Sequence, residues 1–291
     1  MICAVQGEHA LSAAQSAAPL LKKGAHYLAV NADESEPGTF KDRYLMDFDP
    51  HSMLEGIAIA SLATQCDVAY IFIRGEYHKS AKVLEKAVAE AYEKGIFGQS
   101  VMGSTRSLEC HVHRGAGAYI CGEETGLLEA LEGKRGWPGN KPPFPAIAGA
   151  FGRPTVINNV ETLCCVPFIL EKGPAWFKTM GTASSPGPKL YGMSGHVNNP
   201  GVYEDELGIT LAKSIELAGG MKGGQYKAAI CGGISMGVLG PDQLDIKLDF
   251  DDVRFRGGCL GLGTAGMIVM NESTDMVAAL RNCVRFYSHE S

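Results

Sequence analysis

The chain has 291 residues, 45% of them hydrophobic, and a formal net charge of −6. That is enough apolar material for one large core or two domains, and an acidic balance with no basic cluster argues against nucleic acid as a partner. No apolar run approaches the ~18 residues that a membrane span needs, so direct membrane insertion is not expected; the longest, Leu163 to Leu170, is broken by Pro167.

The N-terminal MICAVQGEHALSAAQ lacks the basic start and apolar core of a signal peptide. The nine cysteines are scattered, odd in number and mostly inside apolar runs, and no C-x-x-C pair occurs. They read as buried, reduced thiols of a cytosolic protein. The 37 glycines exceed the average of about 7%, which predicts many tight turns or close approaches of backbone to a ligand.

In chain order, Ala-rich Leu11 to Leu21 reads as a weak helix. His26 to Val30 is a short β-prone run that stops at Asn31. The polar NADESEPGTFKDR that follows contains Pro37-Gly38, so it is a loop at the carboxyl end of a strand, where open α/β sheets bind ligands. Ser52-x-x-Glu55 reads as a capping box opening an apolar helix to about Thr64. Val68 to Ile73 is continuous and β-rich, as expected of a strand buried on both faces. An amphipathic helix comes next, with Leu84, Ala87, Val88 and Ala91 on one face, Glu90 and Lys94 paired on another, and Gly95 at its end. Leu108, Cys110 and Val112 alternate as a third strand. Asn159 is placed to cap a helix from Val160 to about Glu171. Strands alternating with helices over the first ~165 residues indicate an α/β layer with a largely parallel sheet.

Gly181 to Pro188 reads as a linker, and beyond it the pattern changes. Lys189 to Val197 is strand-like, Asn199-Pro200-Gly201 is a turn, Thr210 caps a short helix ending at Gly219-Gly220, and Lys227 to Cys231 is a further strand. This is a compact α+β module of β-grasp size. Ala265 to Met270 is a last strand. A last helix runs from Asp275 to Tyr287, capped by Thr274, with Met276, Leu280, Cys283, Val284 and Tyr287 as its apolar side.

Four stretches carry possible chemistry. Gly261-x-Gly263-x-x-Gly266 matches a dinucleotide fingerprint, but it precedes a strand where that fingerprint must follow one and open a helix; it reads as a tight turn. In the loop Asn31 to Arg43, the acids Asp33, Glu34, Glu36 and Asp42 sit with Asn31 and Ser35 at a strand end. Acids repel phosphate, so these groups should face the uncharged part of a cofactor. Gly115, Gly117 and Gly122 lead into Glu123 and Glu124. Position alone leaves two readings even there: glycines that turn the chain, or backbone N–H groups that approach a ligand. Lys141-Pro142-Pro143-Phe144-Pro145 is stiff because proline fixes φ; it is either a surface turn or a mount holding Phe144 as a stacking face and Lys141 as a cation.

Taken together, NADESEPGTFKDR, RGAGAYICGEETGLLEALEGKR, KPPFPA and PTVINNVETL, in this order and spacing, resemble the NADH-binding flavoprotein subunit of respiratory complex I, a family related to the diaphorase subunits of NAD-linked hydrogenases and formate dehydrogenases. The resemblance covers residues 26–291, and KLYGMSGHVNNPGVYE, LAGGM and FYSHES fit the complex I type. It implies a modified Rossmann-like FMN-binding domain with a parallel sheet over residues 1–180, a β-grasp (SLBB) domain over 186–258, and over 259–291 the start of a helical domain that in the family holds a 4Fe-4S cluster. It further implies that Asn31, Asp33, Ser35, Tyr119, Gly122, Glu123, Asn158 and Asn159 contact FMN. Glu36, Glu124, Lys141 and Phe144 would receive NADH, with Phe144 stacked on the adenine.

The flavin does the chemistry while the protein positions two rings, so no side chain is expected to act as an acid–base catalyst. Two family features are absent from residues 1–291: a GRGGAGF-type loop before the acidic loop, and a C-x-x-C-x-x-C motif after the SHES-like end. The expectation is a chain truncated at both ends, without cluster ligands of its own. Its expected partners are the other subunits of an NADH dehydrogenase complex, including a 2Fe-2S subunit, passing electrons through iron–sulfur centres to quinone at the cytoplasmic side of the inner membrane. The alternatives are a diaphorase subunit or a cofactor-free binding or assembly fragment.

Overall fold

A computed structural model describes residues 24–290; the weak helix expected at Leu11 to Leu21 lies outside the described residues. The chain divides into two compact units, the first formed by residues 24–35 and 42–171 and the second by residues 36–41 and 172–290.

The first unit is built on a four-stranded sheet of β1 (Tyr27–Ala32), β2 (Val68–Ile73), β3 (Glu109–Arg114) and β4 (Thr155–Asn159). The order is β3-β2-β1-β4 and every pairing is parallel. Side chains alternate faces along a strand, and both faces are covered, which explains the unbroken apolar runs. Leu28 and Val30 pack with Met53, Leu54 and Ile57 of α2 (Pro50–Thr64) and with Leu84, Ala87, Val88 and Ala91 of α3 (His78–Glu93). Ala29 and Phe72 pack with Leu127, Leu128 and Leu131 of α4 (Glu124–Leu131). A short helix α1 (Asp42–Phe48) precedes α2, and α5 (Val160–Lys172) follows β4. Because β2 and β3 are added on one side of β1 and β4 on the other, the strand order reverses between β1 and β4. Such a switch point leaves a crevice at the strands' carboxyl ends.

Two local expectations are corrected in this unit. Helix α2 starts before Ser52: Asp49 is its cap, accepting from the Ser52 N–H at 3.3 Å, and Pro50 takes the first helical position, where its missing N–H costs nothing. Glu90 pairs with Lys86 at 3.6 Å and with His51 at 3.2 Å, not with Lys94, which ends the helix through its backbone N–H to Glu90 O. As expected, Asn159 caps α5 by accepting from the Glu161 N–H at 2.9 Å.

The second unit holds a mixed five-stranded sheet of β5 (Pro188–Gly195), β6 (Gly201–Glu206), β7 (Tyr226–Cys231), β8 (Val238–Leu239) and β9 (Gly266–Asn271), in the order β6-β5-β9-β7-β8. Strand β9 is central, parallel to β5 and antiparallel to β7. The sheet therefore continues past residue 258, and the boundary expected at 258/259 would cut it through its middle. The expected linker is also part of this unit: Gly181 bridges Pro186, Ser185 is fully buried, and a side chain on Gly187 would meet the Phe177 ring at 2.2 Å.

Helix α6 (Leu211–Leu217) is capped by Thr210, as expected. The last helix, α7 (Met276–Glu290), is capped by Asp275, which accepts from the Val277 and Ala278 N–H groups at 2.8 and 3.2 Å. The cap is not Thr274, whose hydroxyl is buried without a partner. Met276, Ala279 and Cys283 of α7 pack against Ala228, Ile230 and Met270, while Leu280 and Val284 face outward. The Gly261–Gly266 stretch is a turn leading into β9; Gly263 has φ +53° and a side chain there would meet Gly232 O at 2.5 Å.

Candidate functional site

The site is assembled in the first unit from the loops at the carboxyl ends of β1, β3 and β4. Asn31 is the fifth residue of β1 and lies in register with Asn159, as Val30 does with Asn158. The Asn31 amide donates to Gly122 O at 2.9 Å, across 91 residues of sequence. One hydrogen bond thus ties the acidic loop after β1 to the glycine segment after β3. The Asn159 amide donates to Asp42 Oδ2 at 2.8 Å and lies 3.4 Å from Asn31 O, which closes the third side. Asn158 is buried.

The acids of the first loop have separate roles. Asp33 is buried; its backbone N–H donates to Asn31 Oδ1 at 3.2 Å and its carboxylate accepts from the Ser35 hydroxyl at 2.9 Å. Burial pushes its pKa up to about 6, against the lowering effects of the Ser35 hydrogen bond and the Arg74 guanidinium. Ser35 Oγ also lies 3.4 Å from Tyr119 O. Glu34 is a structural lock: it accepts from the Asp42 N–H at 2.7 Å and from the Tyr77 hydroxyl at 3.0 Å, and its carbonyl accepts from Arg74 at 2.8 Å. Glu36 falls in the second unit, where its carboxylate accepts from the Ser235 N–H at 2.8 Å.

The glycines of the β3 loop are there for close approach. A side chain on Gly115 would meet the Phe72 ring at 3.1 Å, and one on Gly117, at φ +87°, would meet the Glu76 carboxylate at 2.9 Å. A Cβ on Gly122 would sit 3.4 Å from Asp33 O, 3.6 Å from Asp33 Oδ2 and 3.7 Å from Ser35 Oγ. The missing side chain leaves a small open surface beside the Asp33 oxygens and the Ser35 hydroxyl, with Asn31 at its edge.

Glu123 caps α4, accepting from the Thr125 and Gly126 N–H groups at 2.8 and 3.0 Å and from the Thr125 hydroxyl. Partial burial raises its pKa, but the Thr125, Gly126 and Lys141 hydrogen bonds outweigh that and leave it lowered. Lys141 Nζ lies 3.2 Å from Glu123 Oε1 and also pairs with Glu124. Burial lowers the Lys141 pKa, the two carboxylates raise it more, and the net shift is upward. Phe144 stands in extended backbone before Pro145 and is 55% exposed.

The structure therefore brings Asn31, Asp33, Ser35, Tyr119, Gly122 and Asn159 together, with Glu123, Glu124 and Lys141 joined at the start of α4; Asn158 is buried in β4 beside Asn159. Sequence reading missed Arg74, Tyr77 and Thr125. For Arg74 the signal was available, since it directly follows β2 and so obeys the same strand-end rule as Asn31.

The donor set fits a flavin mononucleotide. Amides and hydroxyls at an open surface without a side chain suit the edge of a flat heterocycle and a hydroxylated chain. Among the described residues, no group of three or more His, Cys, Asp or Glu side chains is arranged to hold a metal ion. All eight described cysteines are free thiols, six of them buried. No described helix is long and apolar enough to cross a membrane.

Comparison with known proteins shows the family. A family model of the Nuo51 FMN-binding domain matches residues 6–168, and one of the SLBB domain matches residues 190–239. An NADH-quinone oxidoreductase subunit of Rhizobium meliloti (strain 1021) is 50% identical over 267 residues, covering 91% of this chain and 63% of that protein. The mitochondrial NADH dehydrogenase (ubiquinone) flavoprotein 1 of Dictyostelium discoideum is 50% identical over 274 residues, 93% of this chain and 57% of that protein. A solved NAD+-reducing NiFe hydrogenase in the air-oxidized state superposes with a TM-score of 0.81 at 37% identity, covering 92% of this chain and 44% of that one. The chain spans less than two thirds of the length of these relatives.

Proposed function

The chain belongs to the Nuo51 FMN-binding domain family, and from that premise we propose that it is the NADH-oxidising flavoprotein portion of an NADH dehydrogenase complex. When bound, FMN accepts a hydride from reduced nicotinamide. The protein's own part is placement. Asn31, Asp33, Ser35, Tyr119, Gly122, Asn158 and Asn159 hold the flavin in the β1/β4 crevice. Glu123 fixes the first turn of α4 beside it. Glu124, Lys141 and Phe144 receive the dinucleotide, with Phe144 stacked on the adenine. Glu36 is left out of this set because it falls in the second unit, where its carboxylate accepts from the Ser235 N–H.

The observation that supports this reading most is the Asn31–Gly122 hydrogen bond, which joins the two loops the flavin would touch at the sheet's switch point. The flavin-to-partner step would deliver electrons to iron–sulfur centres, including a 2Fe-2S centre, carried by other subunits, and from there to quinone. Within such a complex the chain would sit at the cytoplasmic side of the inner membrane, peripheral to it. Relatives at 50% identity are NADH dehydrogenase subunits, whereas the hydrogenase relatives stand at 37% and 38%. This favours the complex I type over a hydrogenase diaphorase.

The test is spectroscopic. The purified chain, reconstituted with FMN, should absorb near ~450 nm and be bleached by NADH. Glu124→Gln should keep the bound flavin while shifting the NADH concentration needed for bleaching. Flavin that stays oxidised under excess NADH would overturn the NADH-oxidising role.

A further inference from the structure

We propose that Trp137, backed by Arg135, is a second purine-stacking face of the dinucleotide site, additional to Phe144. The proposal rests on the nucleotide-binding reading above and deepens it.

The segment from Arg135 to Lys141 is fixed at three points to the start of α4 and the turn before it. Gly136 is pressed on Cys121, where a side chain would stand 2.6 Å from Sγ. The Gly139 N–H donates to the Thr125 hydroxyl at 2.8 Å, and that hydroxyl in turn donates to Glu123. Lys141 pairs with both Glu123 and Glu124. Trp137 therefore rides on a loop whose last anchor, Lys141 with Glu123 and Glu124, is made of residues assigned to the cofactors.

Its indole is nevertheless 68% exposed. Tryptophan is normally well buried, and an aromatic ring this large held in water on an anchored loop offers an open face for stacking. The Arg135 guanidinium lies 5.5 Å from the ring centroid, a cation–π distance.

The chemistry selects the adenosine end of the ligand. Stacking on an aromatic plane recognises any purine through its π-face, and Arg135 adds a fixed positive charge suited to a pyrophosphate. Glu123 and Glu124 are the wrong partners for phosphate and suit the neutral nicotinamide end. The different chemistry of the two acids and of the cation–aromatic pair would set the direction in which the dinucleotide lies.

The sequence has only two tryptophans, Trp137 and Trp176, so the Trp176→Phe chain reports on Trp137 alone. Titrated with ADP-ribose, which has the purine and pyrophosphate but no nicotinamide, its emission should be quenched saturably. Trp137→Ala should weaken ADP-ribose and NADH binding by ~10-fold, Trp137→Phe should recover most of that, and reduced nicotinamide mononucleotide should bind all three chains alike. Since the indole is exposed, the thermal midpoint of Trp137→Ala should stay at the wild-type value. Binding of ADP-ribose and NADH left unchanged by Trp137→Ala would overturn this proposal alone. A wild-type chain that binds neither nucleotide by calorimetry would overturn the nucleotide-site reading, and this proposal with it.

Discussion

Asp33 shows how much of a binding residue's character comes from its neighbours. In sequence it is one of four acids in a short polar run, and a surface loop is the simplest account of such a run. In the fold the four separate. Glu34 is tied to Asp42 and Tyr77, Glu36 to Ser235, Asp42 to Asn159, and Asp33 is left in the crevice with Ser35. Partners up to 199 residues away decide these roles, and no local pattern carries that information. Asp33 yields a sharp pH prediction. Its folded pKa of about 6 lies above the unfolded value of ~3.9. The native state therefore holds the proton more tightly, and stability falls as pH rises between those two values. Asparagine cannot ionise and still accepts from Ser35. Asp33→Asn should be nearly neutral for the flavin-free chain below pH ~4 and stabilising above pH 6 by on the order of 1–3 kcal/mol. Thermal midpoints measured from pH 4 to pH 8 check this, and a difference that does not grow with pH contradicts it.

At the level of elements, periodicity was informative where one face is buried and uninformative at the ends. The buried face of α3 was legible from spacing alone, since Leu84, Ala87, Val88 and Ala91 are all buried. The start of α2 was misread because Ser52 offers a capping pattern while Asp49-Pro50 supplies the actual one; two local signals overlapped, and proline at the first helical position decided between them. How elements pack was not legible at all. Gly56 in α2 looks like a weak point in a helix, worth about 1 kcal/mol against alanine. In the fold it is pressed against the backbone of α5: a Cβ there would stand 2.0 Å from Leu163 O. Gly56→Ala should therefore lower stability by about 1–3 kcal/mol despite its better helix propensity. A circular-dichroism melt shows this directly, and an unchanged or raised midpoint would mean the helices do not meet at Gly56.

At the scale of the whole molecule, the alternation of strands and helices specified a parallel α/β unit, and the change of pattern after about residue 180 specified a second module. Strand order was not available from either. The reversal between β1 and β4 is what makes a crevice, and it depends on which strands pair across the chain. The central place of β9 in the second sheet is hidden for the same reason. The central claim is that the crevice at the ends of β1 and β4 holds FMN, and fluorescence titration of FMN with the full chain tests it most directly. Flavin emission should change to saturation at one site per chain, with Asn31→Ala weakening binding by ~10-fold through the lost amide contacts. A chain that never binds FMN, or an Asn31→Ala variant that binds it as tightly as wild type, would contradict the account.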